Sequence, residues 1–173
     1  MRESERWVDY FVAHLEDLRQ RENRGALAAL RRGLGSAPGS VPAMYPHILP
    51  WAPHNRVAEN ACCIIGSLFA LHPDPGGAGN MGNAFAKVGD RTESLEKRFV
   101  ALLNCHYDDL PNHLRQAVSL LKSKDVPIDW RQLLRNVVSW DHEARFVQKQ
   151  WAREFWKSRS SEAEVGEEEM GTS

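Results

Sequence analysis

Apolar residues recur along this chain at helical spacing, and no segment shows the clean period of two that marks a half-buried strand. Trp7, Phe11 and Leu15 stand at i, i+4 and i+8, flanked by Tyr10, His14 and Leu18, and GALAAL resumes the period. Residues 4–30 therefore read as one or two helices. The stretch RRGLGSAPGSVPAMYPHILPWAPHN holds glycine and proline too often for a long helix, which predicts a loop with short turns. Val57, Ala61, Ile64, Ile65, Leu68 and Leu71 then form a wide apolar stripe that Pro73 stops.

Beyond Pro73, DPGGAGNMGN reads as a linker and NAFAKVG as about two turns of helix. In SLEKRFVALL, Leu95, Phe99 and Leu102 share one face of a helix expected over Thr92 to Asn104. Ser94 and Glu96 suit its start, where a hydroxyl accepts a free N–H and a carboxylate favours the dipole. DDLPNHLRQAVSLLKSK opens on an Asp cap and an early proline, with Leu110, Leu114, Ala117 (or Val118) and Leu121 inside. Asp129 and Gln132 make a capping box for WRQLLRNVVSW, and Asp141 is placed to cap a last long helix, HEARFVQKQWAREFWKS. The pattern predicts an all-α protein built from two small helical bundles packed together. Their expected bounds are 1–73 and 83–160, joined by a Gly/Pro-rich linker at 74–82 and followed by an acidic, disordered tail at 161–173.

The chain of 173 residues is long enough to bury a core without staples. No apolar run approaches membrane-spanning length, and MRESERWVDY lacks the apolar centre of a signal peptide. Three cysteines, with Cys62 and Cys63 adjacent, suit a reduced, cytoplasmic protein with no membrane partner. The formal net charge of -1 hides an asymmetry. The tail carries Glu162, Glu164, Glu167, Glu168 and Glu169 and no base; without them 18 acids face 22 Lys and Arg, leaving the body at about +4. That excess is mild, so any affinity for nucleic acid must come from where the bases are placed.

Candidate chemistry is sparse. Gly77, Gly79 and Gly82 spell GxGxxG, but the phosphate-cradling version of that pattern follows a strand, and here a helix precedes it. Cys62, Cys63, Cys105 and His106 lack the spaced pairs of a zinc site, and the adjacent cysteines sit inside an apolar helix as small hydrophobes. Asp108 and Asp109 are better explained as cap residues than as metal-binding acids. No nucleophile–base pair and no two-metal carboxylate cluster emerges, which argues against an enzyme and implies neither cofactor nor metal. Trp130, Trp140, Trp151 and Trp156 all fall in the last third; Trp156 is a core or subunit-interface residue, or a stacking platform facing solvent.

The basic residues carry more information. Arg131 and Arg135 are i, i+4, and Arg145, Lys149 and Arg153 are i, i+4, i+8 on the next expected helix. Like charges at those spacings repel slightly, so helix stability alone would not select them. A solvated face is one reading, and a surface that tracks phosphates is the other.

These residues resemble those of the CasB-type small subunit of the type I-E CRISPR surveillance complex, Cascade. The resemblance is carried by RRGLG, YPHILPW, NMGNAFAKV, SLEKRFVALL, LRQAVSLL, IDWRQLLRNVVSW and VQKQWAREFW, in order, from about Trp7 to Trp156. It implies a non-catalytic, all-helical subunit that sits in two head-to-tail copies beside the backbone and large subunits. There it would help to hold guide RNA and target DNA and to stabilise the displaced non-target strand. Motif matching implies backbone contacts from Arg31 and Arg32, Lys97 and Arg98, Arg115 and Arg135, with Arg131, Arg145, Lys149 and Arg153 as further contacts. Two rivals are a helical protein–protein adaptor whose cations are merely solvated, and a small nuclease with an unrecognised site.

Overall fold

A computed structural model describes residues 5–157, so the expected acidic tail at 161–173 lies outside the described residues. Among the described residues every regular element is helical: α1 (Arg6–Gln20), α2 (Arg24–Arg31), the single turn α3 (Tyr45–Ile48), α4 (Arg56–Leu71), α5 (Met81–Ala86), α6 (Glu93–Asn104), α7 (Leu110–Ser123), α8 (Trp130–Val138) and α9 (146–157). The protein is all-α, as its periodicity requires.

Helix α4 is the centre of the packing. Every residue from Ala61 to Ala70 is buried, so this helix is covered all round. Helices α2, α3 and α1 pack on it from the N-terminal side, and α7 and α8 from the C-terminal side. Gly66 makes room for α3, because a Cβ there would lie 2.8 Å from Ile48 Cδ1. Asn55 caps the helix by accepting from the Ala58 N–H. At its other end the buried His72 ring makes a 2.7 Å hydrogen bond with the Val126 carbonyl, tying the end of α4 to the connection before α8.

The two helical groups share one core. Helix α8 packs on both α1 and α4, and the buried side chains form a continuous cluster from Val8 to Phe155. Trp130, Trp140, Trp151 and Phe155 lie within it. Trp151 donates to Asn136 Oδ1 at 2.8 Å and Trp140 donates to the Cys105 carbonyl at 3.1 Å. Trp156 packs edge-on against Phe99 and Phe155, which decides for the core reading over a solvent-facing platform.

Segment 74–82 touches this core at two glycines, while Asp74, Pro75, Gly76, Ala78 and Gly79 are exposed. A Cβ on Gly77 would collide with the Ile128 backbone, and one on Gly82 with the Trp151 carbonyl. Met81 and Gly82 already belong to α5, whose start is fixed by a capping box between Asn80 and Asn83. The first and last glycines of the GxGxxG pattern are thus accounted for by close backbone approach.

Local starts differ from the sequence expectation at three helices. Thr92, one residue before α6, accepts from the Leu95 N–H, so Ser94 lies inside the first turn. Asp109 makes no side-chain cap, because the 3-10 turn Tyr107–Asp109 runs straight into α7 in helical geometry. Asp141 does not cap α9. Residues 141–145 form turns instead, and Arg145 enters the helix from the left-handed region at φ 49°.

Candidate nucleic-acid interface

The ten basic candidates divide by what their side chains already do. Five are engaged within the fold. Arg131 on α8 forms a fork with Glu16 on α1, at 2.7 and 3.1 Å, and stands 3.5 Å from Asp9. Arg135, one turn on, donates to the same Asp9 at 3.2 Å. These four half-buried groups make a charged seam that fastens α8 to α1. The hydrogen bonds from Arg131 hold the Glu16 carboxyl below its usual range, against a smaller opposing effect of burial. The bond to Glu16 correspondingly raises Arg131.

The other engaged bases act on helix ends or on exposed pairs. Arg31 Nε donates to the Ala70 carbonyl in the last turn of α4. Arg145 Nη2 donates to the Leu103 carbonyl in the last turn of α6, at 2.7 Å. Both place a cation where unpaired carbonyls accumulate. Lys97 pairs with Glu93 at 2.8 Å across one exposed turn, a contact that contributes little.

The side chains of Arg32, Arg98, Arg115, Lys149 and Arg153 make no hydrogen bond or ion pair among the described residues, and all five residues are exposed. Because α9 starts at 146, the expected stripe of three reduces on the helix itself to Lys149 and Arg153. Arg153 borders a polar recess with Asn83, Gln132 and Glu154, where Asn83 donates to Glu154 at 3.0 Å.

Arg98 and Arg115 are brought together. They line one groove of about 900 Å³ between α6 and α7, which contains no acidic side chain. Neighbouring helix positions diverge by about 100°, so Lys97 lies on the flank with Glu93 and Val100 while Arg98 turns toward α7. Arg115 also reaches the loop of the RRGLG motif: a Cβ on Gly35, at φ 79°, would stand 3.0 Å from Arg115 Nη1. Arg32 is the C-cap of α2 and leads directly into that loop. Arg98 and Arg115 therefore share one groove, and Arg115 also borders the Gly35 loop.

Polar residues of this groove escaped the sequence reading. Asn112, Gln116, Ser119 and Ser123 all line it and are all exposed. Their spacing along α7 follows the helical repeat, a polar stripe that was legible once charge was set aside.

The cysteine thiols are shielded. All three cysteines are buried, and burial raises each thiol, Cys105 to about 11. Among the described residues no three His, Cys, Asp or Glu side chains converge to hold a metal, and no helix is long and apolar enough to cross a membrane.

Comparison with known proteins gives a consistent result. The family model of CRISPR-associated protein Cse2 matches residues 26–156. A CRISPR-associated protein Cse2 from Thermus thermophilus is 32% identical over 175 residues, covering 97% of this chain and 98% of that protein. The crystal structure of CasB from Thermus thermophilus superimposes with a TM-score of 0.77 at 30% identity, covering 91% of this chain and 99% of the other. A chain of a CRISPR RNA-guided surveillance complex in a pre-nicking state gives 0.81 at 25% identity, covering 94% and 98% respectively.

Proposed function

Because this chain belongs to the Cse2 family of CRISPR-associated proteins, we propose that it is a non-catalytic, nucleic-acid-binding subunit of a Cascade-type RNA-guided surveillance complex. In this role it stabilises guide RNA, target DNA and the displaced non-target strand, beside the backbone and large subunits and a second copy of itself. The observation that carries the reading is the acid-free groove shared by Arg98 and Arg115. Two unpaired guanidiniums on separate helices, held by a rigid core, suit a phosphate backbone in a way that a scattered solvated face does not.

Guide-directed recognition leaves sequence to base pairing, so such a subunit needs only to follow phosphates. Arg32, exposed at the end of α2, and the pair Lys149 and Arg153 on α9 are further unpaired bases. Arg31, Lys97, Arg131, Arg135 and Arg145 would have to leave contacts they already make, which ranks them below the unpaired bases as contact residues. Burial of all three cysteines removes their thiols as exposed nucleophiles.

The test is the salt dependence of binding to DNA. Arg98→Ala and Arg115→Ala are each expected to flatten the slope of log affinity against log salt, by about 0.7 on single strands and about 0.9 on duplex. The loss should be equal for unrelated sequences. Arg21→Ala removes the same charge from an exposed pair with Asp17 and should leave the slope alone. An unchanged slope in both groove variants would favour the adaptor reading instead.

A further inference from the structure

The α6–α7 groove offers more than two cations. Its floor is apolar, with Leu102 and Ala117 buried, Leu120 half-buried and Phe85 reaching it from α5. Along its rim stand the exposed side chains of Asn112, Gln116 and Ser119, none of which makes a hydrogen bond among the described residues. Phosphates have no use for an apolar floor, and a backbone-only contact does not need a row of free amides.

We infer that this groove holds an unpaired nucleotide, with its flanking phosphates on Arg98 and Arg115 and its base laid on the Ala117–Leu120 floor. The inference rests on the phosphate-binding reading above and adds the base to it. At about 900 Å³ the groove has the capacity of a site for a ligand larger than a single base. Its lining combines cations, apolar surface and ambivalent hydrogen-bonding groups, as a nucleotide requires. Amide side chains both donate and accept, so the rim of Asn112 and Gln116 satisfies any base edge and selects none. A paired base is stacked inside its duplex and cannot reach the floor. The groove therefore distinguishes single strands from duplex while remaining blind to sequence.

The experiment compares the full chain with its Ser119→Trp variant, which fills the exposed rim and leaves both arginines in place. Binding is measured to a single-stranded DNA, the RNA of the same sequence, the matching DNA duplex, and the single strand carrying abasic positions throughout. The wild-type chain is expected to bind the abasic strand about fivefold more weakly than the intact one, the loss of roughly 40 Å² of base face buried on the apolar floor. Ser119→Trp should weaken binding to intact single strands by a similar factor, without changing the salt slope or the duplex affinity. A response confined to DNA or to RNA upholds the inference and names the strand. Equal affinity for intact and abasic strands overturns it, as does a Ser119→Trp effect that is absent or equal on duplex. In those cases a normal slope change in Arg98→Ala leaves the phosphate reading standing. A flat slope in both Arg98→Ala and Arg115→Ala overturns the two together.

Discussion

Replacing Arg131 by alanine separates a fastening role from a nucleic-acid role at that position. The fork to Glu16 and the longer approach to Asp9 are both lost, while Arg135 keeps Asp9 partly compensated. Hydrogen bonds between charged groups contribute about 1.5–3 kcal/mol when well shielded. Here Arg131 and Glu16 side chains are 34% and 32% exposed, so solvent screening pulls the value toward that of surface pairs. A cost of about 1–2 kcal/mol follows, which for a chain of this size lowers the melting temperature by about 2–8 °C. The assay is urea unfolding of the wild type, Arg131→Ala, Glu16→Gln and the double variant, read as a double-mutant cycle. A coupling of about 1 kcal/mol is expected, together with an unchanged salt slope for DNA binding. If Arg131→Ala is as stable as the wild type and flattens the salt slope, the seam is not a fastening and Arg131 belongs to the phosphate surface.

Two further outcomes follow from the same structure. Because the Glu16 carboxyl is depressed in the folded protein, its stabilisation is complete above its ordinary value of 4.5 and disappears as pH falls through the depressed one. The stability gap between wild type and Glu16→Gln, followed by thermal unfolding from pH 7 to 3, should therefore contract at the acid end; a gap that widens there contradicts the sign. Alanine at Gly82 meets the Trp151 carbonyl, a backbone atom that cannot rotate away, and should cost about 2 kcal/mol or more in urea unfolding despite the better helix propensity. At Gly25, where the nearest atom lies 3.8 Å away, the same change should be neutral or stabilising, and equal effects at the two sites would refute the close-approach account.

Much of the fold was legible because it rests on local rules. The α4 stripe, the α6 face of Leu95, Phe99 and Leu102, and the Asp129 cap each follow from spacing within a few residues. What escaped depends on partners far along the chain. Nothing near Arg131 announces that Glu16 will meet it, because the two are 115 residues apart. The glycines at 77 and 82 look like linker residues until Ile128 and Trp151 arrive beside them. At the candidate interface, counting cations found Arg98 and Arg115 but also bases that the fold employs elsewhere. Charge identifies which side chains attract phosphate, and only packing tells which of them are still unoccupied. The start of α9 was missed for a different reason: Arg145 adopts a backbone conformation that propensity assigns to glycine or asparagine.

The seam between α1 and α8 also sets a schedule for the growing chain. Glu16 is synthesised 115 residues before Arg131, and at about 5–20 residues per second the interval is about 6–23 seconds. For part of that interval, after Leu71 is made and before α7 and α8 follow, α4 has only the N-terminal helices to cover its buried stretch from Ala61 to Ala70. The nascent protein thus passes through a stage in which its most water-averse helix is half dressed. Synonymous codons that slow translation between α4 and α8 lengthen that stage, and the yield of native protein becomes a matter of translation speed as well as of sequence.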